Sequence, residues 1–238
     1  DFGAEVIAVE EPGKGDTLRR LPPFVDSASL WWAVEARNKQ SVTLDLRTQE
    51  GQGLFQRLAA ASDVVIESLR PGALEGWGLG YETLRTLREG IILARVSGYG
   101  QEGPYSRRPA YDIQGAAMSG LANLTGFPDG PPTRLGFDLC AYFAGVFAAL
   151  GILLALHHRD TQKTGEGQWI DLALYDPLLR FSHYNIPSYD KLGFAEERLG
   201  NIFLTGAPID FFKTQDGQYV VIVCGHDTVF SRLCRAID

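Results

Sequence analysis

Three observations predict an α/β fold: an open, mostly parallel sheet with helices on both faces. Apolar runs at 6–9, 64–66 and, apart from Arg95, 91–96 are continuous rather than alternating, as in strands covered on both sides. Segments with helical spacing lie between them, at 48–59 and 81–89. The connections are short and no internal repeat breaks the alternation.

The elements follow in order. Val6–Val9 reads as a strand closed by the turn Glu10-Glu11-Pro12-Gly13. Residues 14–36, with Pro22-Pro23 and Trp31-Trp32, read as irregular. From Ser41 to Leu46, Val42, Leu44 and Leu46 alternate with polar residues, which predicts a second strand. Thr48, with Glu50 behind it, is a cap-like start for a helix through Leu54, Phe55, Leu58 and Ala59. Val64–Ile66 and Ile91–Val96 are buried strands, with a short helix over Tyr81–Glu89 between them. Leu139–Leu156 carries no charge and is rich in Ala and Gly, which predicts a tightly packed internal helix. It has the length of a membrane span but lacks an aromatic belt at both ends. His157-His158-Arg159 suits the negative end of that helix dipole. Gln168–Leu174 is strand-like and a helix follows near Asp176–His183. Composition then shifts to Pro, Gly and Asn. This divides the chain into a large α/β domain over 1–185, a linker over 186–200 and the beginning of a smaller domain over 201–238. That last part holds a strand at Gln218–Val223 and a helix at Thr228–Ile237, with His226 near the helix start.

Composition narrows the function. Of 238 residues, 22 are basic and 29 acidic, a formal net charge of −7, which argues against a protein that grips nucleic-acid phosphates. Cys140, Cys224 and Cys234 are too scattered for a disulfide framework or a zinc site. The four His have no metal-ligand spacing, so no metal is expected. With no leader segment and no membrane partner expected, the anticipated location is the cytoplasm.

Gly98-Tyr99-Gly100-Gln101-Glu102-Gly103 spells G-x-G-x-x-G directly after a strand. A dinucleotide site needs a helix opening there. Pro104 and Pro109 follow instead, so the run reads as a Gly-rich turn at a strand's C-terminal end, where open α/β sheets place ligands. Gly13-Lys14-Gly15-Asp16 lacks phosphate-loop spacing, and no G-x-S-x-G elbow occurs. Asp138, Asp171 and Asp176 flank apolar segments, where a carboxylate acts as cap, base or nucleophile. Arg37, Lys39, Arg70, Arg107, Arg108 and Arg134 lie near proposed strand ends, where cations meet phosphorylated ligands.

Several segments, in order, carry a family resemblance. They are Gly3-Ala4-Glu5-Val6-Ile7 with Val9–Gly13 and Gly15-Asp16; Arg37–Leu46; Asp63–Glu67 with Arg70-Pro71-Gly72; and Gly78–Tyr81. Ser97–Tyr105, Ala110-Tyr111-Asp112, Thr125-Gly126, Gly130–Arg134 and Thr164–Gln168 complete the set. Together they resemble the family III CoA-transferases, which include formyl-CoA transferase, carnitine CoA-transferase and α-methylacyl-CoA racemase. The resemblance implies an interlocked dimer, acyl-CoA and carboxylic acids as substrates, and coenzyme A as substrate and product rather than a tightly bound cofactor. It implies that an aspartate attacks the thioester and carries CoA as an aspartyl-CoA intermediate. It also implies that a strand and helix precede this segment and that a long stretch follows it.

The resemblance places the aspartate four residues before Gly145, at Ala141, and counting on from Pro131–Arg134 gives the same position. An alanine methyl cannot attack a thioester. Asp138, one helical turn earlier, is the weak substitute. Leu44, Arg70, Ala73, Tyr99 and Tyr111 remain compatible with contacts to CoA. Glu11 stands where formyl-CoA transferases carry an Arg, and an anion there is expected to repel CoA phosphates. Ala8, Ser68-Leu69 and Gly76 also depart from the pattern. Tyr111 replaces the histidine of the racemase branch, which argues against racemization. The leading expectation is a subunit without its own nucleophile, paired with an active homologous subunit as heterodimer or heterotetramer, as in benzylsuccinate CoA-transferase. One alternative is an active homodimer, using Asp138 or having Ala141 as an engineered change. The other is a non-enzymatic acyl-CoA-binding protein.

Overall fold

The computed structural model describes residues 3–237; Asp1, Phe2 and Asp238, at the outer ends of the two expected domains, lie outside the described residues. Strand β1 (Val6–Glu10) leads into a 3-10 turn over Thr17–Arg20 and a small hairpin of β2 (Phe24–Val25) and β3 (Ala28–Ser29). Asp26 and Ser27 form its two-residue loop with φ of 47° and 67°, the geometry usually given to Asn-Gly. Helix α1 (Leu30–Glu35) follows, with the Ser29 hydroxyl accepting from the Trp32 N–H. This stretch was expected to be irregular. A six-residue helix and a hairpin turn without glycine leave too little pattern to read.

Strand β4 (Lys39–Thr43) returns parallel to β1, Val6 opposite Lys39 and Glu10 opposite Thr43. Helix α2 (Gln49–Ala60) starts as expected, Thr48 Oγ1 accepting from the Gly51 N–H at 3.1 Å. Then come β5 (Val64–Glu67), α3 (Ala73–Gly76), α4 (Tyr81–Leu87) and β6 (Ile92–Ser97). Helices α5 (Asp112–Met118), α6 (Leu121–Leu124) and α7 (Leu139–Thr161) precede β7 (Trp169–Ala173). The three strands pair in the order β5–β6–β7, all parallel.

Phe55, Ala59, Leu74, Leu79, Leu84 and Leu93 form the core on one face of this sheet, contributed by α2, α3, α4, β6 and, for Leu79, the loop between α3 and α4. Helix α7 packs on the other face, with Gly151 against Ile170. Gly167 shows how closely the β7 entry loop passes the sheet. A Cβ there would lie 1.8 Å from the Ile91 carbonyl oxygen.

Two expectations shift. β6 is buried along most of both faces, but β4 is exposed throughout and Ile66 of β5 is 63% exposed. In β4, Lys39, Gln40 and Ser41 make a polar row, whereas β6 is buried along its length and includes the buried Arg95. Helix α7 buries a stripe of small residues, Cys140, Ala144, Ala148 and Ala155, while Val146, Leu150, Leu153 and Leu154 stand more than half exposed. It is therefore packed along one side rather than enclosed.

Past β7, α8 (Asp176–Leu179) ends in a 3-10 turn over Arg180–Ser182, and α9 (Asn185–Leu192) occupies the first half of the expected linker. An antiparallel hairpin of β8 (Ile209–Lys213) and β9 (Tyr219–Val223) leads to α10 (Asp227–Ile237), which begins directly after His226.

Candidate functional site

The carboxyl ends of the parallel strands carry the segments the sequence singled out: 11–16 after β1, 44–48 after β4, 68–72 after β5, 98–103 after β6 and 174–176 after β7. This edge is where open α/β sheets bind ligands, because the loops there diverge and leave a crevice. Arg70 is exposed on the β5 loop, and its guanidinium makes no hydrogen bond or ion pair to a described residue. Ala73 opens α3, next to Gly72 at φ 85°. Tyr99, on the neighbouring loop, stacks edge-on with Tyr105, ring centroids 5.5 Å apart, and lies 6.4 Å from Tyr175. Leu44 is half-buried and packs on the core. Tyr111 is 73% exposed and sits beside this edge because Ala110 touches Gly98, where a Cβ would come within 2.4 Å of the Ala110 Cβ. Arg70, Ala73, Tyr99 and Tyr111 thus share one edge through adjoining loops, and Leu44 lies at the end of the separate β1–β4 pair.

The Gly-rich run is a turn, as expected. The next helix in the chain, α5, opens only at Asp112, so no helix begins directly on the run. Its backbone is instead fixed by Asp171, whose Oδ2 accepts from the Gln101 N–H at 2.9 Å. Asp176 likewise serves the backbone, accepting from the Ala173 N–H at 2.8 Å.

The start of α7 shows what surrounds the candidate carboxylates. Ala141 is exposed in the first turn, and its N–H donates to Asp112 Oδ1 at 2.9 Å. The Cys140 thiol donates to the Asp112 carbonyl at 3.1 Å. Burial, with the nearby Asp112 carboxylate, pushes that thiol up to about 12, so it carries no thiolate character at neutral pH. Asp138 precedes the helix but does not cap it. Its carboxylate is paired with Arg134 Nη2 at 2.8 Å on an exposed face. Asp112, and not Asp138, is the carboxylate that touches position 141. It stands inside the segment Ala110-Tyr111-Asp112, but sequence spacing gives no sign that α5 and α7 meet N-terminus to N-terminus.

The charge at Glu11 does not stand alone. Glu11 Oε1 accepts from Lys14 Nζ at 3.0 Å and from Arg47 Nη2 at 2.7 Å, and Arg47 also holds Asp45 through Nε at 2.8 Å. These partners hold the Glu11 carboxyl below its ordinary range, hydrogen bonding by Lys14 contributing most. Glu11 is thus an ionised carboxylate paired with two cations rather than a bare one. Next to it Glu10 is buried and accepts from Arg19 at 2.7 and 2.8 Å, from the Asp16 N–H at 2.7 Å and from the Ser41 hydroxyl. The Arg19 hydrogen bonds lower Glu10 most, to about 2.

Residues 1–238 match the sequence profile of CoA-transferase family III. The chain belongs to CoA-transferase family III. Among similar proteins, succinyl-CoA–D-citramalate CoA-transferase of Chloroflexus aurantiacus is 48% identical over 238 residues, covering 100% of this chain and 59% of the relative. The alpha and beta subunits of succinyl-CoA–L-malate CoA-transferase from the same organism are each 43% identical, with 52% and 59% of their lengths covered. A CAIB/BAIF family protein from Brucella suis superimposes with a TM-score of 0.90 at 36% identity, covering 100% of this chain and 63% of that one. The chain therefore spans between 52% and 63% of the length of these family III relatives. As a family III chain it has the α/β architecture expected of it.

Proposed function

We propose that this chain is a subunit of a family III CoA-transferase that moves CoA between carboxylic acids, and that it serves as the non-catalytic partner of an active homologous subunit. The observation that carries the reading is the start of α7. Position 141 offers a methyl group, and its backbone N–H is already held by Asp112. Covalent transfer needs a free carboxylate there. That carboxylate attacks the thioester carbonyl to give a mixed anhydride and CoA thiolate. The thiolate then takes the aspartyl carbonyl and releases the donor acid. Backbone dipoles at the site stabilise the developing oxyanion. The similarity to both an alpha and a beta subunit of one transferase supports a heteromeric assembly. Coenzyme A enters as substrate, with Leu44, Arg70, Ala73, Tyr99 and Tyr111 as its proposed contacts. No observation favours Asp138 as nucleophile, since Arg134 holds its carboxylate.

The experiment is co-expression with the product of a neighbouring homologous reading frame, followed by CoA-transfer assays on the complex and on each chain alone. The expected outcome is activity in the complex and none from this chain. Full activity from this chain alone would overturn the reading.

A further inference from the structure

At the carboxyl ends of β1 and β4 two cations and two carboxylates form one exposed network. The turn after β1 folds back through the Gly15 N–H to Glu11 carbonyl bond of 2.9 Å, which places Lys14 over its own Glu11. The segment after β4 brings Arg47 to the same Glu11 oxygen while Asp45 holds the rest of the guanidinium. The side chains of Lys14, Arg47 and Glu11 are 65%, 57% and 36% exposed. Ion pairs this exposed are weak and exchange readily for another anion. The guanidinium and ammonium together offer donors suited to phosphate. Arg20 is turned onto the Lys14 carbonyl oxygen and does not join the Glu11 network.

We propose that Glu11 is an internal competitor for the phosphate groups of CoA: it holds Lys14 and Arg47 in the empty protein and gives them up when a phosphate arrives. This rests on the CoA reading above and deepens it. The relevant feature is occupancy of two cations, not repulsion by one anion. Affinity for CoA is then set by an exchange of one carboxylate for one phosphate at the same donors.

The test is a binding titration of the full protein, in the assembly in which it purifies, with CoA, dephospho-CoA and pantetheine. Glu11→Gln is expected to tighten CoA about threefold to tenfold, the range of one or two exposed ion pairs. It leaves pantetheine, which has no phosphate, unchanged. A gain with CoA that vanishes with dephospho-CoA assigns the exchange to the 3′-phosphate; a gain kept with both assigns it to the diphosphate. In the Lys14→Ala/Arg47→Ala background Glu11→Gln is expected to give no gain. A gain that persists in that background means plain repulsion and overturns the proposal. Unchanged CoA affinity in Glu11→Gln, with the wild type binding CoA, overturns it as well. If neither wild type nor variants bind CoA, the reading on which it rests falls.

Discussion

Two arginine networks in this chain use the same groups in opposite ways. Arg95, in the middle of β6, is 3% exposed. Its Nε donates to Glu67 at 2.6 Å, its two Nη atoms reach Glu75 at 2.7 and 3.0 Å, and its guanidinium lies 5.8 Å from the Trp169 ring. Arg47, at the end of β4, also holds two carboxylates, but in water. The difference is solvation. In the sheet interior every charge must be matched, since an unpaired one loses its hydration without return. At the edge, water can replace either partner, so the pairing is available for exchange. The first network belongs to the fold and the second to the solvated edge of the β1–β4 pair.

Changes to each network test that division, beginning with the largest effect. Arg95→Ala leaves Glu67 buried and unmatched and is expected to cost about 3–5 kcal/mol in chemical denaturation. A loss below 1 kcal/mol would show that water reaches the site. The Glu10–Arg19 pair is intermediate, with Glu10 Oε1 and Oε2 both held and its side chain 4% exposed. Because the folded pKa of Glu10 lies near 2, below its ordinary 4.5, its contribution is fully present above about pH 4.5 and lost as pH falls toward 2. At most about 3 kcal/mol is at stake, and Glu10→Gln is expected to flatten that part of the acid limb. Arg47→Ala, the smallest change, is expected to alter stability by less than about 0.5 kcal/mol while weakening CoA binding. A large stability loss there would move this network into the fold and break the contrast.

What was legible in the sequence follows the same line between inside and edge. β6, α2 with its Thr48 cap and the Gly-rich turn were readable because burial, capping and glycine φ leave local patterns. α1, the β2–β3 hairpin and β8 were missed, being short or carrying their pattern in few residues. The exposed side of α7 was unreadable because an apolar composition cannot say which of its faces is covered. At the site, the absence of a carboxylate at Ala141 came from residue order within a family resemblance. The contact of Asp112 with position 141 and the pairing of Glu11 with Lys14 and Arg47 depend on how distant segments meet. Residues 112 and 141 belong to different helices, and 11 and 47 to the ends of paired strands.

The central claim is that this chain carries no nucleophile of its own. It is tested most directly by mass spectrometry of the purified chain after exposure to succinyl-CoA, reading the peptides that span residues 108–134 and 135–159. The account predicts no CoA or acyl adduct on Asp138 or Asp112, and a thioester appearing at position 141 once Ala141→Asp is introduced. An adduct on Asp138 or Asp112 of the unaltered chain, formed at the rate of turnover, would contradict it.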